Sequence, residues 1–179
     1  MRIAVSLNTL GMQQAIRDLK KRGMRAEIRA INRSAESAKV AMAREIQKDM
    51  KVRRVSDVKE RIRVETATET KREATLYASS KRLSVWEMGA KGPYPSRGKG
   101  FGVTARTPTR RYPGAFIAKM RSGHWGVFKR DSKARLPIKE LRYVSIYHVF
   151  QKFRPVAVAR ALEQLQKNLK HEFRFALKS

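Results

Sequence analysis

An α+β fold with a mostly antiparallel sheet is what this chain predicts, on three observations. Long apolar stripes at helical spacing stand near both ends of the sequence. Short runs alternating apolar and polar residues crowd the middle, separated by turn residues. The two kinds of segment are segregated rather than alternating, which favours antiparallel hairpins over parallel crossovers. The chain has 179 residues, enough for a real core, and is expected to form one domain over 1–179, with 91–112 as a basic loop insertion.

Taken in order, Ile3, Val5 and Leu7 alternate with Arg2, Ala4 and Ser6, the period-two pattern of a strand. Asn8 or Thr9 can cap a helix carrying Met12, Ile16 and Leu19 on one face, and Gly23 is placed to end it. A second helix is expected from Met24, with Ile28, Ile31, Ala35, Ala38, Met42 and Ile46 forming one stripe. Val52–Glu60 is a basic link of at most one helical turn. Ile62, Val64 and Thr66 then face Leu76 and Ala78 across a polar turn, a hairpin with one apolar face. Arg82–Ala90 should bury Val85, Trp86 and Met88 in a turn or strand end.

Lys91–Gly102 interleaves glycines and prolines with Lys91, Arg97 and Lys99, and reads as an extended basic loop. Strands are expected at Val103–Thr107, Ala115–Met120 and His124–Lys129, the last two joined by a turn at Ser122–Gly123. Pro155 suits the first turn of a closing helix, whose stripe is Val158, Leu162, Leu165, Leu169 and Phe173, reaching Leu177. Both helical stripes are expected to pack on the sheet, with a neighbouring subunit as the alternative cover.

Charge narrows the function. Lys+Arg number 42 against Asp+Glu 15, a formal net charge of +27. Such a field attracts nucleic acid or acidic protein surfaces and repels copies of the same chain. No cysteine is present, which excludes disulfides and thiolate zinc sites. The first residues are too short an apolar run for a signal peptide and no window suits a membrane span, so a membrane role is not expected. His124, His148 and His171 lack partners at metal-ligand spacing, and the acidic residues are scattered among bases. No nucleophile elbow or phosphate-binding glycine motif occurs. No catalytic residue, cofactor or metal is therefore expected, and a nuclease-type enzyme is the weakest class.

The remaining signal is cationic and aromatic. Lys91, Arg97, Lys99, Arg106, Arg110, Arg111, Lys119, Arg121, Lys129 and Arg130 are interleaved with Phe116, His124, Trp125 and Phe128. This composition suits phosphate contact, with base stacking, as well as it suits an acidic protein surface. Read from residues alone, a basic nucleic-acid-binding protein of ribosomal or architectural type stands as the alternative function.

The wording of two segments is more specific. PGAFIAKMRSGHWGVFKR at Pro113–Arg130 and LPIKELRYVSIYHVF at Leu136–Phe150 resemble the minor tail protein Z family, the tail-completion proteins of lambda-like long-tailed phages. The chain departs from the family where a Gly-Pro-Ser turn commonly follows the IKEL string; Arg142, Tyr143, Val144 and Ser145 stand there instead. The resemblance implies a non-enzymatic virion protein that completes the head-proximal end of the tail and enables head–tail joining. It implies a ring-like homo-oligomer whose partners are a tail terminator, tail tube or head–tail connector, with genomic double-stranded DNA as a further contact.

Overall fold

The computed structural model describes residues 10–92, 102–105 and 110–178. It is mixed helix and antiparallel strand, with long helices near each end. The order is α1 (Leu10–Met50), α2 (Val55–Lys59), β1 (Ile62–Glu65), β2 (Thr75–Ala78), β3 (Arg82–Ser84), β4 (Val103–Ala105), β5 (Arg110–Tyr112), β6 (Ala115–Lys119), β7 (Trp125–Arg130), β8 (Ile138–Glu140), β9 (Arg142–Ser145), α3 (Tyr147–Phe150) and α4 (Arg154–Lys178). Among the described residues the strands divide into four small sheets, β1–β2, β3–β9, β4–β5 and β6–β7–β8, rather than one continuous sheet. The strand expected at Ile3–Leu7 and its capping residues lie outside the described residues.

The two N-terminal helices expected on either side of Gly23 are one, α1, running unbroken for 41 residues. An interior glycine costs about 1 kcal/mol against alanine. That is too little to stop a helix whose apolar period continues on both sides. What ends α1 is Lys51, which takes a left-handed conformation at φ 52°. The amide of Val52 then donates to the carbonyl of Gln47 at 3.1 Å, and the Gln47 amide side chain returns to the Val52 carbonyl at 2.8 Å.

Contacts divide the chain into two compact units. Unit 1 holds residues 1–38, 64–75 and 158–179. Its interior is built from small residues of α1: Ala26, Ala30, Ser34, Ala35 and Ala38 are all buried. Small side chains let neighbouring backbone come close, and polar side chains then fix the register. Asn32 donates its amide to the carbonyl of Ala67 at 3.1 Å and accepts from the Ala67 amide at 2.7 Å. Asn168 of α4 donates to Ser34 Oγ at 3.0 Å, and Ser34 donates on to the Ala30 carbonyl at 2.7 Å. The carboxylate of Glu172, 3% exposed, sits 2.6 Å from Arg29 and also pairs with Arg33.

The C-terminal stripe is placed differently from expectation. Val158, Leu162, Phe173 and Leu177 are 49%, 59%, 41% and 71% exposed, so they do not pack on a sheet. Glu172 and Ala176 are the buried positions on that part of α4. The polar anchors Asn168 and Glu172 set the helix rotation, which leaves Leu165 and Leu169 of the stripe half-buried and the other four exposed.

Unit 2 holds residues 39–63 and 76–157. Its core gathers Met42, Ile46, Val52, Val58, Ile62, Leu83, Val85, Met88, Val103, Ile117, Val127 and Ile146, each no more than 2% exposed. Residues 142–145, where the chain departs from the family's turn, form β9 and pair with β3 through an irregular register. Arg61 joins the end of α2 to the turn after β3: its guanidinium holds Glu87 at 2.8 Å through both carboxylate oxygens, and Glu87 also accepts the Ser84 amide at 2.7 Å. Trp86, expected in the core, is only half-buried.

Candidate functional site

The β6–β7 hairpin of unit 2 organises the candidate surface. Its register pairs Ala115 with Lys129, Phe116 with Phe128, Ile117 with Val127, Ala118 with Gly126 and Lys119 with Trp125. The turn is the expected one: Gly123 takes φ 83°, its amide donates to the Met120 carbonyl at 2.9 Å, and the Met120 amide donates to the His124 carbonyl at 2.8 Å. Alternation along the strands sorts the side chains onto two faces.

On one face Ile117 and Val127 are buried, and Trp125, 38% exposed, extends their row towards solvent. Its ring stacks on Trp86 at 5.6 Å between centroids and 18° between planes. The guanidinium of Arg53 lies over the Trp86 ring at 5.0 Å. Such contacts orient an arginine without neutralising it. Arg53, Arg54, Trp86, His124 and Trp125 line an open cleft together with the acidic Asp57 and Glu87.

On the other face Phe128 covers Gly126. A Cβ built on Gly126 would come within 2.8 Å of the Phe128 ring, so the bare backbone is what lets that ring lie flat. Phe116 packs against Phe128 at 6.2 Å, and Arg130 lies over the Phe116 ring at 4.9 Å. Neither Arg53 nor Arg130 has an acidic partner among the described residues.

A charged cluster stands beside the hairpin. His124 Nε2 lies 2.9 Å from Glu140 Oε1, and Arg142 donates to Glu140 Oε2 at 3.1 Å through Nε and at 3.0 Å through a terminal nitrogen. Burial pushes the Glu140 pKa up. Hydrogen bonds from His124, Ser84 and Arg142 outweigh it and hold the carboxyl below the usual carboxylate range. Arg82 and Lys81 line a second cleft together with His124, Glu140 and Arg142, and neither has an acidic partner among the described residues.

The structure thus brings together part of the surface expected from sequence. Lys119, Arg121, His124, Trp125, Lys129 and Arg130 are exposed on or beside the hairpin. Phe116 is half-buried, and Phe128, at 6% exposure, is buried against it. Lys91 is exposed and its backbone pairs with Thr104 at 2.7 Å, which leaves its side chain on the rim of β4. Arg111 is exposed on β5, paired with Thr104. Arg110 belongs to the same strand. Arg97, Lys99 and Arg106 lie outside the described residues.

Sequence reasoning missed Arg53, Trp86 beside the hairpin, and the cleft at which Arg82 meets Glu140 and Arg142. Each joins distant stretches of chain, and no local spacing announces such a meeting.

These groups can hold phosphates or carboxylates by charge and planar groups by stacking. Among the described residues no three His, Asp or Glu side chains gather to hold a metal ion, and no helix is long and apolar enough to cross a membrane. No curated protein and no solved structure matches the chain. The prophage minor tail protein Z family matches residues 10–179, nearly the whole length. The chain therefore belongs to that family, and is a structural protein of a phage tail that works among the other components of the virion.

Proposed function

We propose that this protein completes the head-proximal end of a long non-contractile tail and enables head–tail joining, without catalysing a reaction. It acts as one tail-completion module over 1–179, in several copies arranged as a ring about the tail axis. Membership of the tail family is the observation that carries this reading. The geometry supports it, because Lys119, Arg121, Lys129 and Arg130 on the hairpin and Arg53 beside Trp86 are all exposed and in no ion pair among the described residues. The counter-charge comes from acidic faces of a tail terminator, tube or connector subunit, or from phosphates of entering double-stranded DNA. The tail family lends no support to a basic nucleic-acid-binding protein of ribosomal or architectural type.

Deletion of the gene, with complementation in trans, tests the proposal. Particles made without the protein should accumulate as separate filled heads and tails, and the wild-type chain should restore joining. Trp125→Ala should fail to restore it, while Lys133→Ala, away from the aromatic stack, should succeed. Joined and infectious particles from the deletion strain would refute the proposed role.

A further inference from the structure

The described part of α4 inverts the usual logic of an amphipathic helix. Within unit 1 its inward line carries Asn168, Glu172 and Ala176 with Leu165 and Leu169 half-buried beside them, while Val158, Leu162, Phe173 and Leu177 are exposed. Val158, Leu162, Phe173 and Leu177 recur at helical spacing on one side. At 1.5 Å per residue they form a ridge about 28 Å long, and at one helix width it offers on the order of 300 Å². A patch of that size compares with the largest on a typical soluble monomer, which is often functional. The ridge cannot roll inward. Asn168 is tied to Ser34, and Glu172 to Arg29 and Arg33, so rotation would break a buried charged contact.

Charge says what kind of molecule fits. Cations border the ridge on both sides: Lys170 and Arg174, in no ion pair among the described residues, stand along one flank with Lys167, which Glu163 holds, and Arg29 and Arg33 of α1 stand along the other, held by Glu172. Glu163, the acidic residue beside the first flank, is already held by Arg160 and Lys167, at 2.6 Å and 2.7 Å. A second copy laid ridge to ridge would set lysines and arginines against their own kind. Nor does another face of a copy offer the counter-charge. Most of the chain's 15 acidic residues sit in ion pairs with its own lysines and arginines.

We propose that the ridge of Val158, Leu162, Phe173 and Leu177 docks a different protein of the particle, one that presents an apolar helix or ridge flanked by carboxylates. The partner's place in the particle rests on the tail reading above; the surface and its chemistry do not. Apolar contact supplies the affinity, and the flanking charges set partner choice, orientation and association rate.

A photoreactive benzophenone side chain at Leu162, carried by the full chain in assembled particles, tests this. Irradiation should link Leu162 to another virion protein, within an apolar segment flanked by Asp or Glu. A link to a second copy, a link to this chain's own residues 1–9 or 93–101, or no link in particles that contain the protein would each overturn the docking proposal. Absence of the protein from purified particles would instead refute the tail reading, and with it the partner proposed here. As a second arm, Leu162→Glu should lower incorporation by at least about tenfold while Leu162→Met retains it. The exposed site predicts an unchanged urea midpoint for both variants. Wild-type incorporation of Leu162→Glu would overturn the proposal as well.

Discussion

Replacing Glu172 by glutamine keeps the size of the side chain and removes the charge that ties α4 to α1 within unit 1. The carboxylate is 3% exposed, 2.6 Å from Arg29 and paired also with Arg33. A hydrogen bond to a charged group contributes roughly 1.5–3 kcal/mol. The arginines are 44% and 57% exposed, so in the variant they regain water and the loss stays well below that of a fully buried pair. The expected destabilisation at neutral pH is about 2 kcal/mol.

The pH dependence is a sharper test of the same contact. Burial raises the Glu172 pKa. The hydrogen bond from Arg29 and the charges of Arg33, Arg29 and His171 outweigh that effect, and the folded carboxyl lies below its ordinary value. A carboxyl depressed in the folded state contributes stability that is fully present above the unfolded pKa of about 4.3. That contribution is lost as pH falls through the folded value. Wild type and Glu172→Gln should therefore differ at neutral pH and converge in acid. Both tryptophans lie in unit 2, so urea unfolding should be followed by far-UV circular dichroism of the helices. A difference below about 0.5 kcal/mol at neutral pH, or one that persists undiminished in acid, would refute this account of the contact.

Gly126→Ala should destabilise unit 2 by about 1–2 kcal/mol in urea melts, because the added methyl meets the buried Phe128 ring; an unchanged midpoint would show that the ring has room to move. Trp125→Leu should remove the exciton-coupled circular dichroism of two stacked indoles, unambiguous in a chain with two tryptophans, and cost about 1 kcal/mol. Retention of that coupling in the variant would mean that the stack is not its source.

Charge, element types and much of the candidate hairpin were legible in the sequence, because they depend on nearest neighbours and short periods. The alternation from Ala115 to Lys129 and the Ser122–Gly123 turn fixed the β6–β7 hairpin, and two stretches of wording pointed to the tail family. Local pattern was a poorer guide to where helices end. Gly23 looked like a stop and was not one, since its small penalty is outweighed by the packing of the residues around it. Lys51, an unremarkable lysine, ends α1 through a backbone conformation that only the following contacts select.

Tertiary structure decided what periodicity leaves open, namely which side of an apolar stripe meets the core. The pattern from Val158 to Leu177 specified a helix and said nothing of its rotation. Asn168 and Glu172 set that rotation through partners in α1, more than a hundred residues earlier in the chain. The same holds for Arg53 over Trp86 and Trp86 on Trp125. Local spacing is a property of one segment, whereas burial and pairing belong to two segments at once. The sequence by itself therefore determined a basic α+β protein with a readable hairpin, and only the packed chain decided which of its apolar and cationic groups face outward.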